Sequence, residues 1–181
     1  MDICPKFMDK CLNSICMTSS EKAIATKLDH EVTIMLKRSP RYKQVSPKKK
    51  FTYADLFSDQ MMMIDVIREG VPYSFFSLIQ HYTPFTEADW ANFLDLSTKS
   101  LQRYKQTSKL FKPIQSEKII EMAEVTNVGL DVFGEMDKFK LWLDTPNFSL
   151  GNLRPIELLT DSYGKEMVIG ELTRIDQGIL A

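Results

Sequence analysis

The sequence predicts an all-α protein, with a helix-turn-helix domain followed by a small helical domain. Three observations carry the fold class. Apolar residues from Tyr53 onward recur at three- and four-residue intervals, the repeat of a helix with one buried face. Capping residues, glycines and prolines fall where such helices should start and stop. Strand-type alternation is almost missing. With 181 residues, 44% of them apolar and 26% charged, the chain can bury a core in one ordinary domain or two small ones, which excludes a large multidomain enzyme, general disorder and a fibrous repeat.

From Met1 to about Lys50 the apolar pattern is weak. Lys37, Arg38, Arg41, Lys43, Lys48, Lys49 and Lys50 follow one another without an intervening acid, and Pro40 and Pro47 interrupt any helix there, so residues 1–50 read as a basic, flexible extension. Cys4, Cys11 and Cys16 lie in this stretch with no nearby histidine, which points to free thiols and not to a disulfide framework or a zinc site.

Regular helices follow. Asp55 or Ser58 caps a helix whose stripe is Met61, Ile64, Val66 and Ile67, with Met61 to Met63 as pliable core filling, and Gly70 ends it. Pro72 opens the next helix, Tyr73 to Tyr82, with Phe75, Phe76, Leu78 and Ile79 buried. Thr86 and Asp89 stand in capping-box spacing at the head of a short helix through Leu94, and Ser97 caps another from Thr98 to Lys105. Only Asp95-Leu96 separates the two, which is helix-turn-helix spacing, with Ala91 at the close approach and Leu94, Leu96 and Leu101 inside. Asp95 holds the turn position where glycine is usual, and Asp tolerates left-handed backbone better than most residues.

A long helix runs from about Ser116 to Gly134, and a shorter one carries Met136, Phe139, Leu141, Trp142 and Leu143. Asn147 to Arg154 is a loop, Pro155 restarts a helix, Asp161 to Gly164 breaks it, and Lys165 to Gln177 forms the last, with Val168, Leu172 and Ile175 on one face. The resulting division is 1–50 extension, 51–112 helix-turn-helix domain and 113–181 C-terminal domain.

The residues offer little to catalysis. His30 and His81 have no readable partner, and no phosphate cradle, metal-ligand spacing or nucleophile elbow is present, so no catalytic residue, metal or cofactor is expected. Glu117, Glu121 and Glu124 read as an outer helix face, and Glu157 as a first-turn carboxylate. The chain reads as a binding protein. Residues 1–114 hold 17 Lys/Arg against 12 Asp/Glu, whereas residues 115–181 hold 6 against 12, so the halves suit partners of opposite charge. On the second short helix, Thr98, Lys99, Ser100, Gln102 and Arg103 offer hydrogen-bonding groups to base edges, and Lys105 and Lys109 lie near phosphates. The alternative is an ordinary solvated helix face. No apolar block spans a membrane and no leader pattern opens the chain, so the expected location is the cytoplasm.

Further motifs carry a resemblance. Arg68-Glu69-Gly70-Val71-Pro72, then Thr86-Glu87-Ala88-Asp89-Trp90-Ala91 with Ser97-Thr98-Lys99-Ser100-Leu101-Gln102-Arg103, then Leu150-Gly151-Asn152-Leu153-Arg154-Pro155-Ile156-Glu157-Leu158-Leu159, Gly164 and Arg174-Ile175-Asp176-Gln177-Gly178-Ile179-Leu180-Ala181 occur in order. From about Phe51 to Ala181 the chain resembles the Xre/MbcA/ParS antitoxins of RES-type toxin–antitoxin pairs. The resemblance implies a homodimer whose helix-turn-helix binds the operator DNA of its own operon, and a C-terminal domain that neutralises a RES-domain, NAD-consuming toxin. It places toxin contacts on Arg174, Asp176, Gln177, Gly178, Ile179, Leu180 and Ala181. Asp95 departs from the turn glycine, and family members differ in whether their helix-turn-helix still reads DNA. The alternative from another class is a stand-alone helix-turn-helix regulator whose acidic helical half only dimerises.

Overall fold

A computed structural model describes residues 19–43, 49–107 and 109–179. Cys4, Cys11, Cys16, Pro47, Lys48, Leu180 and Ala181 lie outside the described residues, as does the side chain of Lys43. The fold is all-α: the described residues form helices joined by short turns, with two isolated bridges, Pro72 with Leu110 and Asn147 with Leu153. In chain order the helices are α1 (Ser19–Arg38), α2 (Pro40–Lys43), α3 (Tyr53–Ser58), α4 (Gln60–Glu69), α5 (Tyr73–Tyr82), α6 (Glu87–Phe93), α7 (Thr98–Thr107), α8 (Pro113–Phe133), α9 (Met136–Asp144), a 3₁₀ turn (Phe148–Leu150), α10 (Pro155–Leu158) and α11 (Ser162–Asp176).

Two compact units divide the chain. One comprises residues 1–82 and 102–120, the other 83–101 and 121–181, so the division falls inside α7 and again inside α8.

In the first unit, the expectation of a flexible extension gives way over Ser19–Arg38 to helix α1, which buries Leu28, Val32, Met35 and Leu36 and packs against α2, α3, α4 and α5, while residues 1–18 and 44–48 of that extension lie outside the described residues. Leu28, Val32, Met35 and Leu36 recur at helical spacing, and the basic run after them masked the pattern. Asp55 belongs to a separate short helix, α3, capped by Thr52, whose hydroxyl accepts the Asp55 N–H at 3.1 Å, and the Asp55 carboxylate accepts the Thr52 N–H at 2.8 Å. Asp59, and neither Asp55 nor Ser58, caps α4. The expected α4 stripe is also wrong in part. Val66 is buried, while Met61 and Ile64 are 39% and 36% exposed. Val66 and Ile64 point to nearly opposite sides of the helix, and the side facing α1 is the one that becomes buried.

Gly70 does more than end α4. Its φ of 90° is a backbone state that side chains resist, and a Cβ there would stand 2.6 Å from the Phe111 carbonyl oxygen. That close approach lets the Phe111 N–H donate to the Val71 carbonyl at 2.8 Å. The Val71 N–H donates to the buried hydroxyl of Ser116, which in turn donates to the Phe111 carbonyl at 3.3 Å. Ser116 is therefore a buried bracket inside α8, which starts at Pro113 and not at Ser116.

In the second unit, Trp90, Phe93, Met122, Val125, Phe139, Leu143, Leu150, Leu159, Val168 and Leu172 are buried. The Phe139 ring rests where Gly129 leaves its backbone bare, since a Cβ on Gly129 would lie 2.3 Å from that ring. The helix opened by Pro155 ends before Asp161, as expected, but the last helix starts earlier than Lys165, with Ser162, Tyr163 and Gly164 in its first turn. Asp161 accepts the Gly164 N–H at 2.8 Å as N-cap of α11. Gly164 is required for contact, since a Cβ there would lie 1.9 Å from the Leu158 carbonyl oxygen.

Candidate functional site

Two surfaces carry the residues singled out by their sequence pattern. The first is built by α6, the turn and α7. Thr86 and Asp89 form the expected capping box, with the Asp89 N–H donating to the Thr86 hydroxyl at 3.2 Å and the Thr86 N–H to the Asp89 carboxylate at 2.8 Å. Asp95 takes φ 50°, and the Leu96 N–H donates to the Ala91 carbonyl at 2.9 Å, which closes the turn. Ser97 then accepts the Ser100 N–H at 3.1 Å and α7 begins.

Leu101 anchors α7 from below, and Tyr104 stacks on Phe111 at 4.4 Å with planes 11° apart. With 3.6 residues per turn, Lys99, Gln102 and Arg103 turn away from Leu101 while Thr98 and Lys105 flank it, and all five are exposed. Ser100 differs: it is half-buried, and its hydroxyl lies 2.9 Å from that of Ser97. Arg103, Tyr104, Thr107 and Lys109 line a groove of about 360 Å³ at the far end of the helix. The exposed surface of α7 thus holds three cations, Lys99, Arg103 and Lys105, and two hydrogen-bonding side chains, Thr98 and Gln102.

The second surface is α11 with the residues just beyond its C-terminus. Val168 and Leu172 hold the helix to its unit, and their burial turns another row outward. That row is Tyr163, 84% exposed, Met167, 50% exposed, and Gly170, where a Cβ would meet nothing within 4 Å. Spacings of four, three and four residues carry it on to Arg174, whose guanidinium donates at 3.3 Å to the carboxylate of the buried Glu171.

The helix then stops in a Schellman arrangement. The Ile179 N–H donates to the Arg174 carbonyl at 2.9 Å, the Gly178 N–H donates to the Ile175 carbonyl at 3.0 Å, and Gly178 sits at φ 70°. Asp176, Gln177 and Gly178 are exposed, and Ile179 is half-exposed on a backbone that the cap holds in place. The hydrogen bonds of this cap reach as far as Ile179.

Sequence reasoning missed Tyr163, Met167 and Gly170. Their spacing was there to be read, but placing the helix start at Lys165 removed Tyr163 from the row. Phe148, 82% exposed on the 3₁₀ turn, and Leu141, 69% exposed on α9, were equally missed as surface groups.

The polar groove of the second unit, about 510 Å³, is lined by Asp89, Lys140, Asp144, Arg154 and Glu157 among others. Arg154 and Glu157 are paired at 2.6 Å, and the hydrogen bond from Arg154 holds the Glu157 carboxyl below its ordinary range. Glu157 also accepts the Arg154 N–H at 3.2 Å, which makes it part of the α10 cap. His30 and His81 are exposed. Among the described residues there is no cluster of His, Cys, Asp or Glu suited to a metal, and no helix long and apolar enough to cross a membrane.

Comparison with known proteins falls on the same two stretches. A family model described as the Antitoxin Xre/MbcA/ParS C-terminal toxin-binding domain matches residues 129–178. A second, the Antitoxin Xre-like helix-turn-helix domain, matches residues 62–124. A protein from Photorhabdus laumondii named Antitoxin Xre is 26% identical over 117 residues, 64% of this chain and 79% of the relative. Another of that name from Yersinia enterocolitica is 25% identical over 121 residues, 66% of this chain and 82% of the relative. A chain of the M. tuberculosis MbcT–MbcA toxin–antitoxin complex superposes with a TM-score of 0.49 at 20% identity, over 59% of this chain and 94% of that one.

Proposed function

The chain belongs to the Xre/MbcA/ParS antitoxin family, and from that premise we propose that it neutralises a RES-domain toxin, an enzyme that consumes NAD, by laying α11 and the tail over the toxin's active site. It acts by occlusion, without a catalytic step of its own.

The observation that carries this reading is the outward row of α11. Tyr163 and Met167 are large apolar side chains left in water, Gly170 leaves a stretch of bare helix backbone between them and Arg174, and the Gly178 cap points Ile179 onward from the same helix. A domain gains nothing in its own stability by exposing such groups; a partner that buries them does gain. Tyr and Arg are also the residue types that most often concentrate binding energy. Charge supports the same direction. A pocket that holds the pyrophosphate of NAD presents positive groups, and residues 115–181 carry an excess of six acids.

The helix-turn-helix adds a second role, repression of the antitoxin's own operon as a homodimer. Thr98, Lys99, Gln102, Arg103 and Lys105 would face the base edges and phosphates, while Ser100, bonded to Ser97, supports the helix start.

Deleting Gly178 to Ala181 tests the first role. The shortened chain should keep the thermal unfolding of the intact one and lose neutralisation, read as renewed NAD depletion in cells expressing a cognate RES toxin. Full neutralisation by the shortened chain would refute the placement of the tail.

A further inference from the structure

Both family models begin after residue 61, yet the structure builds a cationic surface before that point that the proposed function leaves unused. Arg38 closes α1, and Lys49 and Lys50 lie on the segment leading to α3; all three are exposed. Lys37 and Arg41 flank them.

The segment bearing Lys49 and Lys50 is fastened to α1. The Phe51 N–H donates to the Thr33 hydroxyl at 2.9 Å, and that hydroxyl donates back to the Phe51 carbonyl at 2.9 Å. Two residues on, the Tyr53 N–H donates to the Asp29 carboxylate at 2.7 Å. The buried Phe51 ring meets Tyr42 edge-on at 5.5 Å, and the Lys49 ammonium stands 5.1 Å from the centre of the Phe51 ring. Thr33 and Lys37 are one helical turn apart, so Lys37 stands beside this clasp.

Carboxylates on the packed elements reach only part of the cluster. Asp65 of α4 lies 3.4 Å from Arg41, and Asp59 acts with it on the Tyr42 hydroxyl, whose pKa is raised first by burial and then by these two acids. Asp29 is engaged with the Tyr53 N–H. Arg38, Lys49 and Lys50 remain in excess, on side chains whose backbone is already ordered, so little entropy is lost when they meet a charged partner.

We propose that Arg38, Lys49 and Lys50, presented on the C-terminal end of α1 by the Thr33–Phe51 clasp, form a sequence-independent contact with the phosphate backbone of duplex DNA. Duplex DNA is the partner favoured by the chain itself, since residues 62–124 match a helix-turn-helix domain. The contact does not require α7 to read bases. Cations in the last turn of a helix also complement its dipole, but that role would touch stability and leave DNA affinity alone.

The test uses the full chain and a labelled short duplex of random sequence, titrated by anisotropy across roughly 50 to 200 mM salt. Relative to the parent, R38Q/K49Q/K50Q should flatten the slope of log affinity against log salt by about 2 to 3, at close to 0.9 per lost contact. It should also weaken binding at the lowest salt by at least about tenfold, since each lost counterion-releasing contact multiplies the loss. The charge-preserving R38K/K49R/K50R should keep the parental slope. An unchanged slope in the neutralised variant, an equal loss in the charge-preserving one, or a parent that binds anionic vesicles and not the duplex would each overturn the proposal. Arg103→Ala, run in parallel with operator and random duplexes, keeps the two DNA surfaces apart: it should reduce discrimination between the duplexes and leave the random-duplex slope near the parental value.

Discussion

Gly178→Ala isolates the aim of the tail from its contacts. A Cβ at this position would meet nothing within 4 Å, so the substitution introduces no collision. What it changes is the backbone: φ is 70°, a state that costs an L-residue roughly 1–2 kcal/mol. In the free chain that cost is avoided by fraying, because only the bonds to the Arg174 and Ile175 carbonyls are lost at a helix end, so thermal unfolding should stay close to the parent's. In the complex the capped conformation must be held, and the full cost returns as weaker binding, about 5- to 30-fold at 1.4 kcal/mol per decade. Surface-immobilised RES toxin measures this directly as a faster off-rate. D-Alanine at the same position, introduced by semisynthesis, prefers positive φ and should restore parental binding, while Gly134→Ala serves as a control. Gly134 has φ 72° and equally open surroundings, but lies between α8 and α9, so its substitution should lower the melting temperature by a few degrees and leave toxin affinity alone. If Gly178→Ala bound as tightly as the parent, or if D-alanine failed to rescue it, the cap would have no part in recognition.

Three further outcomes rest on the same geometry. Tyr163→Ser with Met167→Ser should lower stability by no more than about 1–2 kcal/mol, the buried half of Met167 and the poorer helix propensity of serine, and reduce toxin affinity by at least about tenfold, measured on the same surface; equal affinity would remove the α11 row from the interface. Arg103→Ala should weaken binding to the operator by about 1–3 kcal/mol at fixed salt and leave neutralisation intact, as read by anisotropy beside the NAD-depletion assay. Gly164→Ala should destabilise the chain by more than about 2 kcal/mol in urea unfolding, because a methyl group 1.9 Å from the Leu158 carbonyl forces α10 and α11 apart.

What could be read from the sequence was whatever local chemistry decides. The capping box of Thr86 and Asp89, the strained turn at Asp95 and the start of α7 after Ser97 each depend on residues a few positions apart, and all three stand as expected. Helix α1 was missed because burial of Leu28, Val32, Met35 and Leu36 depends on surfaces supplied by α4 and α5, more than twenty residues away, while the lysines after them spoke for a solvated arm. On α4 the exposed Met61 and Ile64 were mistaken for core for the same reason: an apolar stripe shows that a face can be buried, and the neighbours decide which one is. The functions of Gly70, Gly164 and Ser116 were out of reach, since each answers to a carbonyl or an N–H brought near only by the tertiary fold.

Helix α11, which the proposed function sets against the toxin, holds a conflict within itself. Its mean apolar character is low, yet it carries large apolar groups on two sides: Val168 and Leu172 inward, Tyr163 and Met167 outward. One helix can satisfy only one of those rows within its own unit. Burying a Met side chain fully stabilises by about 1.5–3 kcal/mol, so the half-exposed Met167 forgoes roughly half of that, and Tyr163 forgoes more of its own share. Substituting Tyr163 by a polar residue would cost the fold little, and substituting Met167 would cost only the half of its burial already realised, while Gly170, whose surroundings are open, further weakens the helix by about 1 kcal/mol relative to alanine without any internal contact to justify it. A row that is unfavourable in isolation and built at helical spacing is consistent with a partner surface that recovers the loss. The close approach that Gly170 permits would let that partner reach the helix backbone itself, just before the capped turn directs Ile179 past it.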